Sequence, residues 1–121
     1  MRAIRGAISS SNTVIDILHD TQHMLVEIIS RNDLKIRDIV SIHFTCTLDL
    51  DAVYPAVAAR ELGITQAALM CMQEMEVVGS GGKLIRCCVF VDDGKLQDTA
   101  CHIYLKEAEK LRSDLIPNKE E

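Results

Sequence analysis

The chain has 121 residues, and its 13 Lys and Arg against 18 Asp and Glu give a formal net charge of −5. This length favours one domain with its own core, and a hydrophobic share of 48% excludes a disordered chain. Net acidity without a basic cluster argues against nucleic acid or an anionic membrane as a partner. No apolar run reaches the ~20 residues of a membrane span, and residues 1–6 lack the apolar core of a signal peptide. We therefore expect a soluble, cytoplasmic protein.

Five cysteines lie mostly within apolar stretches of the sequence. Their number is odd, and no two form the C-x-x-C spacing of zinc or redox sites. We expect reduced, mostly structural thiols, and no metal site built from them. The five are Cys46, Cys71, Cys87, Cys88 and Cys101.

In the first half of the chain, two predicted strands alternate with two predicted helices. Residues 2–8 favour a strand, and Thr13 can cap a helix whose apolar residues recur every three or four positions to about residue 31. β-Branched residues predict a second strand over 39–47. A helix over 56–62 follows, because Pro55 suits a first helical turn.

The second half contains the remaining strands. Residues 67–72 and 84–91 are predicted strands, joined through a flexible glycine-rich connection at 79–82. Residues 102–106 fit either a fifth strand or the start of a helix, and periodicity leaves both open. The element order predicts an α/β or α+β fold, a mixed five-stranded sheet with helices on one face.

We expect residues 1–116 to form a single catalytic domain and 117–121 a polar tail. A sheet covered on one side leaves its other face exposed. If that face is as apolar as residues 84–91 suggest, self-association is the natural way to cover it.

Three charged residues interrupt otherwise apolar segments. Arg86 lies in the middle of the clearest strand, and an unpaired buried guanidinium is costly, so an anionic group must meet it. In a structural interpretation, Arg86 pairs with a carboxylate of the protein or reaches water at a strand edge. In a functional interpretation, it binds an anionic ligand, since the planar guanidinium suits carboxylates. Arg5 poses the same alternatives, and Glu74 can pair with either arginine.

Other polar candidates carry weaker signals. His19, His23 and Glu27 share a helix face that borders the apolar stripe, which favours a solvated surface over a metal site. His43 is expected to be a hydrogen-bonded core or edge residue. The segment 79–83 lacks the spacing of a phosphate-binding loop, and no nucleophile system can be identified.

Motifs spread over nearly the whole chain resemble a known family, the small trimeric α/β chorismate mutases. The most specific is Cys71-Met72-Gln73-Glu74-Met75. The others are Ile4-Arg5-Gly6-Ala7, Tyr54-Pro55-Ala56 with Ala59-Arg60-Glu61-Leu62, Ile85-Arg86-Cys87, and His102-Ile103-Tyr104-Leu105 with Leu111-Arg112-Ser113-Asp114-Leu115.

The resemblance implies an intramolecular Claisen rearrangement of chorismate to prephenate, on the branch toward phenylalanine and tyrosine. It also implies a homotrimer shaped like a pseudo-α/β barrel, with active sites at the subunit interfaces. A pericyclic reaction transfers no proton, which agrees with the missing nucleophile. We therefore expect no cofactor and no metal, and catalysis by conformer selection and electrostatic stabilisation.

The resemblance also assigns roles to individual residues. Arg86 would stabilise the ether oxygen that gains negative charge, Arg5 would bind a carboxylate, and Glu74 would accept from the substrate hydroxyl. The remaining expected substrate-binding residues are Tyr104, Cys71, Arg60, Tyr54 and Leu111.

Two residues depart from the family pattern, which has a lysine at position 57 and a small hydroxyl residue at position 70. Val57 and Met70 stand there instead. They keep open an alternative function, a trimeric small-molecule-binding or deaminase-like protein of similar architecture. Composition alone would also allow a non-catalytic acidic interaction module.

Overall fold

Five strands form one mixed sheet in the computed structural model, which describes residues 1–111. The strands are β1 (Arg2–Ser9), β2 (Ile39–Cys46), β3 (Ala68–Gln73), β4 (Leu84–Val91) and β5 (Ile103–Leu105), in the spatial order β3-β2-β4-β1-β5. β4 pairs antiparallel with β1 and β2, while β3 and β5 add in parallel at the two edges. The mixed five-stranded sheet predicted from the sequence is confirmed.

Two helices, α1 (Val14–Arg31) and α2 (Ala56–Glu61), accompany the sheet. The Thr13 side chain accepts a hydrogen bond from the Asp16 backbone N–H, as the capping pattern predicts. The buried stripe of α1 packs on the sheet, and α2 packs against α1 and β3. No helix among residues 1–111 is long and apolar enough to cross a bilayer.

The segment after residue 102 combines both alternatives left open by its sequence. Residues 103–105 form β5, and a 3₁₀ helix follows at Lys106–Lys110. Lys106 has a φ of 54°, so the chain turns at this residue. The expected tail at 117–121, together with residues 112–116, lies outside the described residues.

The two sides of the sheet differ because side chains alternate along each strand. One side carries the apolar core with Ile4, Phe44 and Val89, and it faces the helices. The opposite side, which we call the open face, carries Arg5 and Arg86. Further side chains of the open face are His43, Thr45, Met70, Met72, Cys88 and Tyr104.

His43 corrects a prediction. It is neither in the core nor on an edge strand, because β2 lies between β3 and β4. Its side chain is exposed on the open face, and its ring lies 5.4 Å from that of Phe90, tilted by 55°. Consecutive side chains of a strand point to opposite sides of the sheet, so His43 lies on the open face because Phe44, the next residue of β2, points into the core.

Candidate functional site

Arg86 lies at the centre of the sheet, within a row of side chains that crosses the open face. Its neighbour on β1 is Ala7, which pairs in turn with Tyr104 of β5. On the other side Arg86 pairs with Thr45 of β2. The register therefore brings a guanidinium, a phenol and a hydroxyl to one row of the same face.

A carboxylate reaches this row from the end of β3. The Glu74 backbone N–H donates to the Cys46 carbonyl at 2.8 Å, which extends the β2–β3 ladder by one residue. Its Oε1 accepts from the Thr45 hydroxyl at 2.5 Å, and its Oε2 lies 3.5 Å from Nε of Arg86. The expected pairing of Glu74 with one arginine is thus realised with Arg86.

The ion pair with Glu74 leaves part of the Arg86 guanidinium exposed and one of its hydrogen-bond donors unused. The Arg86 side chain is 41% exposed, whereas that of Glu74 is 19% exposed. Nε of Arg86 is buried and makes no hydrogen bond to a residue that the structure describes. The exposed part of the guanidinium, rather than the buried Nε, is where a further anionic group can bind.

Arg5 lies one row away on the same face, where it pairs with Cys88. Burial raises the pKa of the Cys88 thiol, and the nearby Arg5 guanidinium partly offsets this. The Arg5 backbone N–H donates to Nδ1 of His102 at 2.9 Å, which extends the β1–β5 ladder by a side chain. The Arg5 residue itself is exposed, so its charge is directed to the open face.

Tyr104 belongs to a small apolar cluster on the open face. It packs with Ala7, Leu84 and Ala108, and Leu111 is partly buried against the same cluster. Both Tyr104 and Leu111 therefore lie on the same side of the sheet as the guanidinium of Arg86.

Cys71 and Tyr54 lie elsewhere, in a cavity at the β3 edge on the core side of the sheet. We call it the edge cavity; its volume is about 610 Å³, and Cys46 and Leu50 also line it. Burial, with added repulsion from Cys71 and Glu74, raises the pKa of Cys46 to about 12, so this thiol stays protonated. Arg60 is exposed in the last turn of α2, which packs against β3.

The predicted site residues thus form two groups separated by the sheet. The open-face group contains Arg5, Arg86, Glu74, Tyr104 and Leu111, and the edge group contains Tyr54, Cys71 and Arg60. Glu74 and Cys71 are three residues apart on an extended strand and therefore point to opposite sides. The side chains of the two groups lie on opposite sides of the sheet, although Glu74 and Cys71 both lie close enough to Cys46 to raise its pKa.

Thr45 contacts the open-face group through Glu74 but carries no signal in the sequence alone. His102 accepts from the Arg5 backbone N–H; it belongs to a family motif, but the resemblance assigns it no role. A threonine in a strand is common, and only the register of β2 against β4 reveals that it lies beside Arg86. Among residues 1–111, no three His, Cys, Asp or Glu side chains lie together in a way that could hold a metal ion.

The sequence is similar to those of known proteins over nearly its whole length. The sequence model of a family described as chorismate mutase type I matches residues 1–115. Chorismate mutase AroH of Bacillus subtilis is 41% identical over 117 residues, which cover 95% of this chain and 92% of that protein. Chorismate mutase AroH of Thermus thermophilus is 33% identical over 117 residues, covering 95% and 96% respectively.

A solved structure is similar over most of the fold. The chorismate mutase from Clostridium thermocellum superposes with a TM-score of 0.88 and is 45% identical, covering 91% of this chain and 99% of that one. Similarity of sequence and of fold therefore point to the same family.

Proposed function

The chain belongs to the chorismate mutase type I family, and on this premise we propose how its open face catalyses the reaction. The protein is an isomerase that converts chorismate to prephenate, a step of aromatic amino acid biosynthesis. One C–O bond of the substrate breaks and one C–C bond forms within the same molecule. No proton is transferred, so the protein contributes binding, conformation and charge.

Arg86 has the central role in this proposal. The ether oxygen gains negative charge as its C–O bond breaks, and a cation already fixed in place stabilises that charge without reorganisation. The observation that carries the assignment is the half-exposed guanidinium with its unused Nε, fixed in the middle of the open face. A planar fork also suits an anionic oxygen better than a flexible ammonium does.

The other open-face residues bind the substrate around this cation. We assign Arg5 to a substrate carboxylate, since its charge lies on the same face one row away. Glu74 accepts from the substrate hydroxyl and lies near the ring as it becomes electron-poor, and Tyr104 donates a further hydrogen bond. Together they hold the reactive compact conformer, which removes much of the entropic part of the barrier.

The edge group completes the site from a second copy of the chain. Tyr54 and Arg60 of the edge group form walls and entrance together with Leu111 of the open-face group, and Cys71 lines the pocket as a thiol. Because the sheet separates the two groups within one chain, we propose that each site lies at an interface between subunits. The number of subunits in the proposed homotrimer is what the family resemblance implies. The open face also exposes the apolar side chains of Met70 and Met72, and contact with another subunit would remove them from water, which supports this assembly.

We place the protein in the cytoplasm. All five cysteines are free thiols, and Cys87 is fully within the core. Free thiols persist most readily in a reducing compartment.

The test is a direct assay that follows the loss of chorismate ultraviolet absorbance. The purified protein should convert chorismate to prephenate with no added metal or cofactor and in the presence of a chelator. Arg86→Lys should lose about a hundredfold or more in kcat, because a point charge replaces a shaped fork. Arg37→Lys, on an exposed 3₁₀ turn, is the matched control and should be unaffected. Near-normal turnover of Arg86→Lys would remove Arg86 from the mechanism.

A further inference from the structure

The hydroxyl of Thr45 fixes the carboxylate of Glu74. Thr45 lies beside Arg86 in the register of β2 and β4, and its Oγ1 donates to Oε1 of Glu74 at 2.5 Å. The Glu74 backbone is already fixed by its bond to the Cys46 carbonyl. The side-chain bond to Thr45 therefore sets where the carboxylate group can lie.

The consequence of this bond is visible in the distance between Glu74 and Arg86. A carboxylate free to approach a guanidinium forms bonds of about 2.7–2.9 Å, often two in parallel. Here the Oε2 atom stops 3.5 Å from Nε, which keeps its donor unused. The bond to Thr45 engages one carboxylate oxygen, so the carboxylate cannot turn both oxygens toward the guanidinium.

We propose that Thr45 is a positioning residue that holds Glu74 back from Arg86 and so keeps the guanidinium available to the substrate. The proposal rests on the function proposed above. If Glu74 closed onto Arg86, the cation would be neutralised within the chain, and the substrate would have to displace a carboxylate before it could bind. Glu74 would also leave the position from which it accepts the substrate hydroxyl.

Thr45→Val tests the proposal because it removes the hydroxyl and keeps the branched shape that suits a strand. We expect kcat/KM to fall about tenfold or more, the range for losing a hydrogen bond to a charged group. Most of the loss should be a rise in KM, since the substrate now competes with Glu74 for Arg86. Thr45→Ser keeps the hydroxyl and should restore KM to near the wild-type value.

A purely structural role would have a different kinetic signature. A destabilised variant contains less folded enzyme, which lowers the apparent kcat and leaves KM unchanged. Ser41→Ala is the matched control, since it removes a hydroxyl from the same face of the same strand, beside Phe90 rather than Arg86. Its KM should equal that of the wild type.

Two further measurements test the proposal. The first is spectroscopic and needs no turnover, and the second compares KM values in a background without the Glu74 carboxylate. In nitrogen-15 NMR spectra the Nε–H signal of Arg86 should move downfield in Thr45→Val, because the group then donates to Glu74. In a Glu74→Gln background the neutral amide has little attraction for the cation, so Thr45→Val should have almost no additional effect on KM.

The outcomes separate this proposal from the proposed function. An inactive wild-type protein would overturn the function itself. An active wild type with an unchanged KM in Thr45→Val, or with an unmoved Arg86 Nε–H signal, would overturn the role of Thr45 and leave the function standing. An equal effect of Thr45→Val with and without the Glu74 carboxylate would also contradict it.

Discussion

Arg2 and Arg86 show two opposite environments for the same side chain. Arg2 is 2% exposed, and its guanidinium donates to the Asp93 carboxylate at 2.9 Å and to the Asn32 carbonyl at 2.9 Å. The Thr99 hydroxyl accepts a further bond at 3.2 Å. Arg86 is half-exposed and keeps Nε unused. The guanidinium of Arg2 is thus fully hydrogen-bonded within the chain, as a structural arginine is, whereas that of Arg86 is not, which agrees with its proposed role in binding substrate.

Gly6 permits the close contact of α1 with β1. A Cβ at this position would lie 2.6 Å from Cδ1 of Ile28, 3.0 Å from Sγ of Cys87 and 3.1 Å from Cγ of Met24. All three side chains are buried, so they cannot move away independently. The absence of a side chain at Gly6 therefore sets the helix–sheet distance beneath Arg5.

Gly6→Ala should lower the free energy of unfolding by about 1–3 kcal/mol, because it overpacks this contact. Urea denaturation monitored by circular dichroism measures the change. Gly81→Ala is the control: its Cβ would meet only Cδ1 of Leu84, at 3.9 Å, and stability should hardly change. Equal stabilities of the two variants would contradict the close approach.

At the scale of elements, Asp20 joins α1 to the 3₁₀ helix that follows β5. This buried carboxylate accepts from Lys106 Nζ and from the Ser10 hydroxyl, each at 2.7 Å. Burial alone would raise its pKa, but the bonds from Lys106 and Ser10 together hold the pKa below its usual value of 3.8. The contact anchors the segment that carries Tyr104 and Leu111.

The lowered pKa fixes the sign of a pH effect. The stabilisation by Asp20 is fully present above about pH 4 and is lost as the pH falls through its folded pKa. Asp20→Asn should destabilise the protein at neutral pH by about 1–3 kcal/mol and give a flatter stability profile at acidic pH. Urea midpoints measured at several pH values check this. Asp98→Asn, on an exposed turn, should leave the wild-type profile unchanged.

At the scale of the whole molecule, the open face is the surface through which we propose that the chain assembles. It combines the charged residues of the site with exposed methionines, a surface that an isolated chain would leave in water. In the proposed assembly, a second copy would both cover these side chains and supply the edge group. Assembly and activity should therefore be lost together.

Met70→Glu tests this coupling. Met70 is 56% exposed on β3, so a glutamate there should not unfold the chain, but it would place a charge in the interface. Light scattering should show the wild type at three times the chain mass of 13.4 kDa, and Met70→Glu at a smaller mass with little activity. Val26→Glu, at a 47% exposed position on α1, is the matched control and should remain trimeric and active. A trimeric, active Met70→Glu would contradict the proposed interface.

Local patterns predicted most of the elements. Strand β4 has the predicted bounds, because eight consecutive residues favour strand and turn residues flank them. The predicted helix ending near residue 31 is also confirmed, since its cap and apolar period agree. Residues 102–106 were ambiguous because strand and 3₁₀ helix meet within them, at Lys106 with a positive φ.

Long-range contacts set the limit of prediction. The acceptors of Arg2 are separated from it by 30, 91 and 97 positions, and no local pattern links them. Thr45 was likewise missed because its partner Glu74 is 29 residues away. The opposite orientation of Cys71 and Glu74, in contrast, follows from strand alternation once β3 is assigned.

Strand β3 presents one group on each side of the sheet, and this limits where the chain can change in length. Slipping β3 by a single residue past β2 would exchange its two faces, moving Glu74 away from Arg86 and Cys71 out of the edge cavity. Insertions before the strand are tolerable only if they loop out and preserve the pairing of Phe44 with Cys71. Residues 76–81 are exposed throughout, so length variation there disturbs neither group.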